Sequence, residues 1–167
     1  MDTELLLRDF DQEIALTRHT LERVPNSPAF QPHPKSMPLG ELAMHVATLP
    51  DLGKRILTED TFDVTAPNGR RPVLIFESQE KLLDTFDEKA SSLRAALAAS
   101  TEESLHQGWS LVAGDHVLST QTRYLVYRQL FFNHFIHHRA QLGVYLRLND
   151  IPVPATYGPS ADESPSI

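Results

Sequence analysis

Along the first two dozen residues, apolar side chains return at Leu6, Phe10, Ile14 and Leu21, with Thr17 in the same stripe, at spacings of four and three. That period is one face of a helix, so a first helix is expected over 3–24, with Asp2 and Glu4 at the end where the dipole favours negative charge. Pro25, Pro28, Pro32, Pro34 and Pro38, together with Asn26 and Ser27, then make a loop that cannot be helical. Ser36 is the expected cap of a second helix. In that helix Leu42, His45, Leu49, Leu52 and Ile56 fall within about 60° of one another, so His45 sits in the middle of an apolar stripe. Pro50 cannot donate to the carbonyl of Val46, which predicts a kink one turn past His45 and continuation to Thr58.

Residues 59–77 hold Asp60, Asp63, Pro67-Asn68-Gly69 and Pro72 and read as an irregular surface connection. Ser78 is placed to cap a third helix to Ala99, carried by Leu82, Phe86, Ala90, Leu93 and Leu97. Trp109–Val112 and His116–Leu118 flank Ala113-Gly114-Asp115 and predict a short hairpin with glycine in the turn. Ser119–Leu148 contains no proline, and no glycine before Gly143, so it reads as one long helix. The last segment carries four prolines and little periodicity, which predicts an extended tail over 149–167, disordered towards Ile167. The expectation is an all-α four-helix bundle with a small β-hairpin before the last long helix, as a single domain over 1–167.

The last helix concentrates the candidate chemistry. Three of the eight histidines lie in five positions, at His134, His137 and His138. Taking His134 as zero on a wheel of 100° per residue, His138 falls at about 40°, Gln141 at about −20°, Tyr145 and Tyr127 at about 20° and Leu130 at about −40°. His134 and His138 therefore point the same way, while His137 lies about 60° off on the other side and reads as a packing or rim residue. Two imidazoles one turn apart can share a metal ion, because Zn–N bonds need only ~2.0–2.1 Å. Such a pair arises by chance with an expectation of about 0.4 in a chain with this many histidines. Val126, Phe131, Phe135, Leu142, Val144 and Leu146 flank the stripe and predict a buried face, where core histidines bonded to backbone or carboxylate would fit the helix equally well. Facing helices of a bundle supply metal ligands jointly, and His45 is the histidine centred on another apolar stripe. With His134 and His138 it would make a three-His site open at a fourth position, as catalytic sites are.

Composition narrows the alternatives. A net charge of −7, from 15 basic and 22 acidic residues without a basic cluster, argues against nucleic acid or an anionic membrane as partner. The chain has no cysteine, so a metal would be held by histidine and carboxylate. The acidic opening and the absence of an 18-residue apolar run make a soluble cytoplasmic protein the expectation. No Gly-x-Ser-x-Gly, phosphate-cradling glycine loop or His-Glu-x-x-His occurs.

Three stretches resemble the DinB/YfiT-like superfamily of four-helix metal-binding proteins. They are Gly40-Glu41-Leu42-Ala43-Met44-His45-Val46, His134-Phe135-Ile136-His137-His138-Arg139-Ala140-Gln141-Leu142, and the tail from Asn149-Asp150-Ile151-Pro152-Val153-Pro154 to Tyr157-Gly158-Pro159-Ser160-Ala161-Asp162-Glu163. The resemblance implies a divalent metal on His45, His134 and His138; three imidazoles suit Zn, Ni, Cu or Fe, and a divalent transition metal, Zn or Ni first, is the expectation. Ala140 stands where the family's usual His-His-Arg-Gly-Gln has glycine, a departure that touches no ligand. The resemblance also implies either a metal-dependent hydrolase or a transferase using a low-molecular-weight thiol as co-substrate, with a small-molecule substrate. Glu41, Gln141 and Tyr145 are candidates to bind substrate or orient the ligands. A homodimer is implied too, and Phe132 and Ile136, on the helix side bearing Arg128, Gln129, Arg139 and Arg147, are its expected contact. The alternative is a non-catalytic dimeric metal-binding or stress-related interaction module.

Overall fold

In the computed structural model, residues 3–26, 28–67 and 74–164 are described. The expectations that touch Asp2, Ser27, the Asn68–Pro72 connection and disorder at residues 165–167 lie outside them. The apolar stripes become four long helical segments. Helix α1 is Thr3–Leu21 and α2 is Leu39–Thr58, while α3 is Gln79–Ala99 and α6 is Asn133–Leu148. The core lies where their stripes meet. It holds Leu6 and Phe10 of α1, Leu42, Val46 and Ile56 of α2, Leu82, Phe86 and Leu93 of α3, and Phe135 and Leu142 of α6. Helix α2 packs on α3 and α6, and α1 packs on the same two.

Ser78 caps α3 as expected, its hydroxyl accepting from Lys81 N. The start of α2 differs. Pro38 occupies the cap position without a side-chain bond, and the helix begins at Leu39 rather than after Ser36. Pro50 does not split α2, which continues to Thr58. A proline in a helix leaves an upstream carbonyl without its usual donor. Two residues before Pro50, the Thr48 hydroxyl donates to the carbonyls of Met44 and His45, at 2.9 and 3.2 Å.

The expectation of an all-α chain with a lone hairpin needs correction: the fold is mostly helical with a three-stranded sheet. Strand β1 (Thr61–Asp63) runs parallel to β2 (Gly108–Ala113), which pairs antiparallel with β3 (His116–Thr122). Three residues are too few to display a period, which is why β1 reads as loop. Gly114 turns the hairpin at φ +58°, where a Cβ is disfavoured. A one-turn helix α4 (Glu102–His106) precedes β2, held by a reciprocal cap between Thr101 and Ser104.

The last helix also starts later than its sequence suggests. Ser119–Thr122 belong to β3, the short helix α5 covers Arg123–Val126, and Tyr127–Phe132 form a π turn leading into α6. Arg123, with its side chain 4% exposed, donates to the Ile56 and Glu59 carbonyls at 2.5 and 2.6 Å and to Asp60 at 2.8 Å. It thereby closes the C-terminal end of α2 and fixes where α2 meets the final helical segment.

Two face assignments change. Val144, expected on the buried face, is 58% exposed, whereas Phe132 and Arg139, expected on an exposed dimer face, are 5% and 4% exposed. The tail over 151–164 is pinned rather than loose. Asp162 pairs with Arg147 and accepts from Val153 N, and Glu163 pairs with Arg23 and His19. The Arg147 guanidinium and the Val153 N–H hold the Asp162 carboxyl below its ordinary range.

Gly53 sets how closely α2 approaches its neighbours. A Cβ there would meet Leu93 Cδ2 at 2.7 Å and Phe131 Cγ at 2.8 Å. Gly53→Ala is expected to destabilise the protein by roughly 1–3 kcal/mol, since overpacking outweighs the helical preference of alanine. A lowered urea midpoint at unchanged slope is the measurement.

Candidate metal centre

His45 sits mid-helix in α2, between the buried Leu42 and Leu49, and is carried inward with that stripe. His134 and His138 lie one turn apart in the first half of α6. The two helices pack against each other, and the three rings converge. His45 Nε2 is 3.5 Å from His134 Nε2, and His138 Nε2 is 2.8 Å from His134 Nε2. One ligand nitrogen from each ring lies within 4.8 Å of the other two, and all three residues are half-buried. Ring centroids are 4.6 to 5.3 Å apart.

The remaining nitrogens of the α6 pair are also engaged. His134 Nδ1 lies 3.2 Å from the Leu130 carbonyl and His138 Nδ1 lies 2.7 Å from Gln141 Oε1. Both partners are acceptors, so a neutral ring carries its proton on Nδ1 and directs the Nε2 lone pair at the cluster. Two such lone pairs at 2.8 Å repel, and a cation shared among the rings removes the conflict. Imidazole nitrogens on a tetrahedral ion with ~2.0–2.1 Å bonds stand roughly 3.3 Å apart. The 3.5 Å spacing is close to that already, and the 2.8 Å spacing needs only a small opening. The donor set therefore fits a divalent transition metal.

Among the other expected residues, Gln141 takes its place as the acceptor that orients His138. Its side chain is exposed, so Gln141→Ala is expected to leave the fold intact and weaken metal binding by about 10–100-fold. Competition with a chelator of known affinity measures this. Tyr145 is half-buried, with Phe30 of the proline-rich loop edge-on at 5.9 Å. Glu41 is half-buried one turn before His45. The exposed His137 ring stacks edge-on with His138 at 5.0 Å and stays outside the cluster. Tyr127, expected on the metal face, is instead 1% exposed among Phe131 and Phe132, and burial pushes its phenol well above the ordinary range.

The π turn accounts for that last difference. Asn133 N–H bonds to Arg128 O, five residues back, so one extra residue is accommodated just before His134 and the upstream wheel is out of phase. Two contributors to the site escape sequence reasoning altogether. One is the Leu130 carbonyl, a backbone group that any residue would supply, and the other is Arg123, whose role depends on where α2 ends.

Residues 39–165 match the DinB family, a span that includes all three histidines. No curated protein sequence matches the chain. Among solved structures, a DinB-like protein from Bacillus subtilis superposes with a TM-score of 0.71 at 19% identity, covering 91% of this chain and 97% of that one. A DinB-like protein from Bacillus cereus gives 0.68 at 20% identity, covering 90% and 95%. At these identities the likeness is one of fold, and together with the match over 39–165 it supports a single conclusion: the chain belongs to the DinB family.

Proposed function

We propose that the protein is a metal-dependent enzyme whose three histidines hold a divalent transition metal, Zn or Ni, and which acts on a small molecule as a hydrolase or a thiol S-transferase. The observation that carries this reading is the convergence of three Nε2 atoms from two separate helices on one point. Three protein ligands leave a fourth position free, the arrangement of catalytic rather than closed structural sites. An ion held there supplies Lewis acidity, lowering the pKa of a water or low-molecular-weight thiol so that a nucleophile exists near neutral pH.

The chain's own residues prepare that position. Leu130 O and Gln141 Oε1 fix the α6 imidazoles in the ligating tautomer, so little reorganisation accompanies binding. Glu41, one turn before His45 on α2, is assigned to orienting a ligand or accepting a proton. Tyr145 and Phe30 form an aromatic wall on the α6 side against which a substrate can lie. The four long helical segments are read as the four-helix bundle of the family, here with the three-stranded sheet added. Among the described residues no helix is long and apolar enough to cross a membrane, and a cytoplasmic location is part of the same proposal.

A homodimer belongs to this reading as well, with its contact moved from Phe132. Val144, Leu148 and Tyr157 are 57–63% exposed around a groove of about 490 Å³ between α6 and the tail, and a partner copy would cover them. Sedimentation velocity of the protein and of Val144→Glu tests it.

Elemental analysis of purified protein, followed by turnover assays with low-molecular-weight thiols and electrophiles and with ester and amide substrates, tests the enzyme reading. One ion per chain with metal-dependent turnover supports it. One ion per chain with no turnover on any of these substrates favours the non-catalytic module.

A further inference from the structure

The groove between α6 and the tail holds about 490 Å³, within the range of pockets that take small molecules. Its floor lies on the side of α6 turned away from the histidines. On a wheel of 100° per residue with His134 at zero, Ile136, Gly143 and Arg147 stand at about 200°, 180° and 220°. The polar groups that reach the groove are already committed inside the protein. Both of its guanidiniums are paired, Arg139 with Glu13 and Arg147 with Asp162. The Tyr157 hydroxyl donates to Glu13 and accepts from Arg139, the Thr20 hydroxyl donates to the Leu16 carbonyl, and the Ser160 hydroxyl donates to the Val153 carbonyl. What remains to meet a ligand is apolar surface, from Ile136, Val144 and Leu148 of α6 and Val153 and Pro154 of the tail, with Ala140 and Gly143 leaving depth between them.

We propose that this groove binds a neutral, apolar small molecule, a hydrocarbon chain or ring system of about ten to fifteen carbon atoms. The volume sets the size, since it equals the share of about sixteen water molecules and the groove is open along one side. The paired lining sets the class. Among the described residues no uncompensated charge borders the groove, so a charged occupant would lose its hydration without gaining a counter-charge. A single side chain inserted by a second copy would leave much of the volume empty, and empty apolar volume is costly. In the dimer of the proposed function the partner would therefore rest on the rim at Val144, Leu148 and Tyr157 and cover the occupant rather than replace it. Binding itself requires neither the metal nor the second copy.

The test titrates N-phenyl-1-naphthylamine, a neutral dye that brightens in apolar surroundings, into the full-length protein with and without Zn. The expected result is one saturable site per chain in both forms, from which 1-decanol displaces the dye at a concentration at least tenfold below that needed of decanoate. Gly143→Leu fills the groove from its floor. A Cβ there meets only Val153 Cγ1, at 3.6 Å, an ordinary contact, so the fold should hold while dye affinity falls at least tenfold. Ala140→Phe, at an exposed position of the same helix, should have the same effect. Circular dichroism and metal content show that each variant is folded and loaded. A signal that rises without saturating would overturn the proposal, as would undiminished dye affinity in the two variants. Equal displacement by decanoate would overturn the assignment to neutral molecules. Saturable binding in a protein that takes up no metal, or that sediments as a monomer, would leave the groove assignment standing and count against the proposed function alone.

Discussion

His138→Ala is expected to reduce bound metal from one ion per chain to none under conditions that load the native protein, while the metal-free variant keeps its helical content. The ring is half-buried rather than part of the sealed core, so its removal subtracts little packing. It does remove one of three donors, and with it the nitrogen 2.8 Å from His134 Nε2. Two imidazoles held on separate helices retain far less affinity than three, and structural stability in the absence of metal separates a catalytic site from one that staples helices together. His137→Ala is the matched control: an exposed histidine next in sequence whose ring lies outside the cluster, expected to keep full stoichiometry. Elemental analysis beside far-ultraviolet circular dichroism reads both variants. Because ligating imidazoles must be neutral, loading should also fail as the pH is lowered and return when it is restored.

The second large effect lies on the opposite side of α6. Arg139 and Glu13 form an ion pair at 2.6 Å with side chains 4% and 8% exposed. The guanidinium also donates to Thr17 Oγ1 at 3.3 Å and to the Tyr157 hydroxyl at 2.7 Å, and that hydroxyl lies 2.8 Å from the Glu13 carboxylate, to which it donates. The tail thus closes a network joining α1 to α6. Arg139→Ala leaves a buried carboxylate with only the tyrosine, and a loss of about 3–5 kcal/mol is expected, since removing one partner strands the other charge. Chemical denaturation measures it. Replacing both partners together, Arg139→Met with Glu13→Leu, should recover most of that loss, because desolvation of both charges then disappears along with their attraction.

Arg139 also illustrates what could be read from the chain and what could not. Its place on the helix wheel is given by its number, but its burial depends on Glu13 arriving from α1 and Tyr157 from the tail, 126 and 18 residues away. Long-range polar partners leave no periodic trace. Where one face meets one core the apolar spacing suffices, as in α1, α3 and the stripe holding Leu42, His45 and Leu49. The three clustered histidines were legible for that reason: two share a helical face and the third is centred on another. The π turn was not, because inserting one residue into a helical turn changes no composition, and it alone moves Tyr127 off the metal face into the aromatic core. Strand β1 was equally silent, since three residues acquire their extended form only by pairing with β2. The exposed dimer face read at Phe132 failed because that side of the final helical segment is covered, Phe132 lying among Tyr127 and Phe131 and Arg139 held by Glu13 and Tyr157.

X-ray absorption at the metal edge of Zn-loaded protein tests the central claim most directly. The account predicts a first shell of about four light donors near ~2.0–2.1 Å, with outer-shell scattering from three imidazole rings, and loss of that bound-metal spectrum in His45→Ala under the same loading conditions. A spectrum requiring one imidazole or none, or one unchanged when His45 is removed, would contradict it.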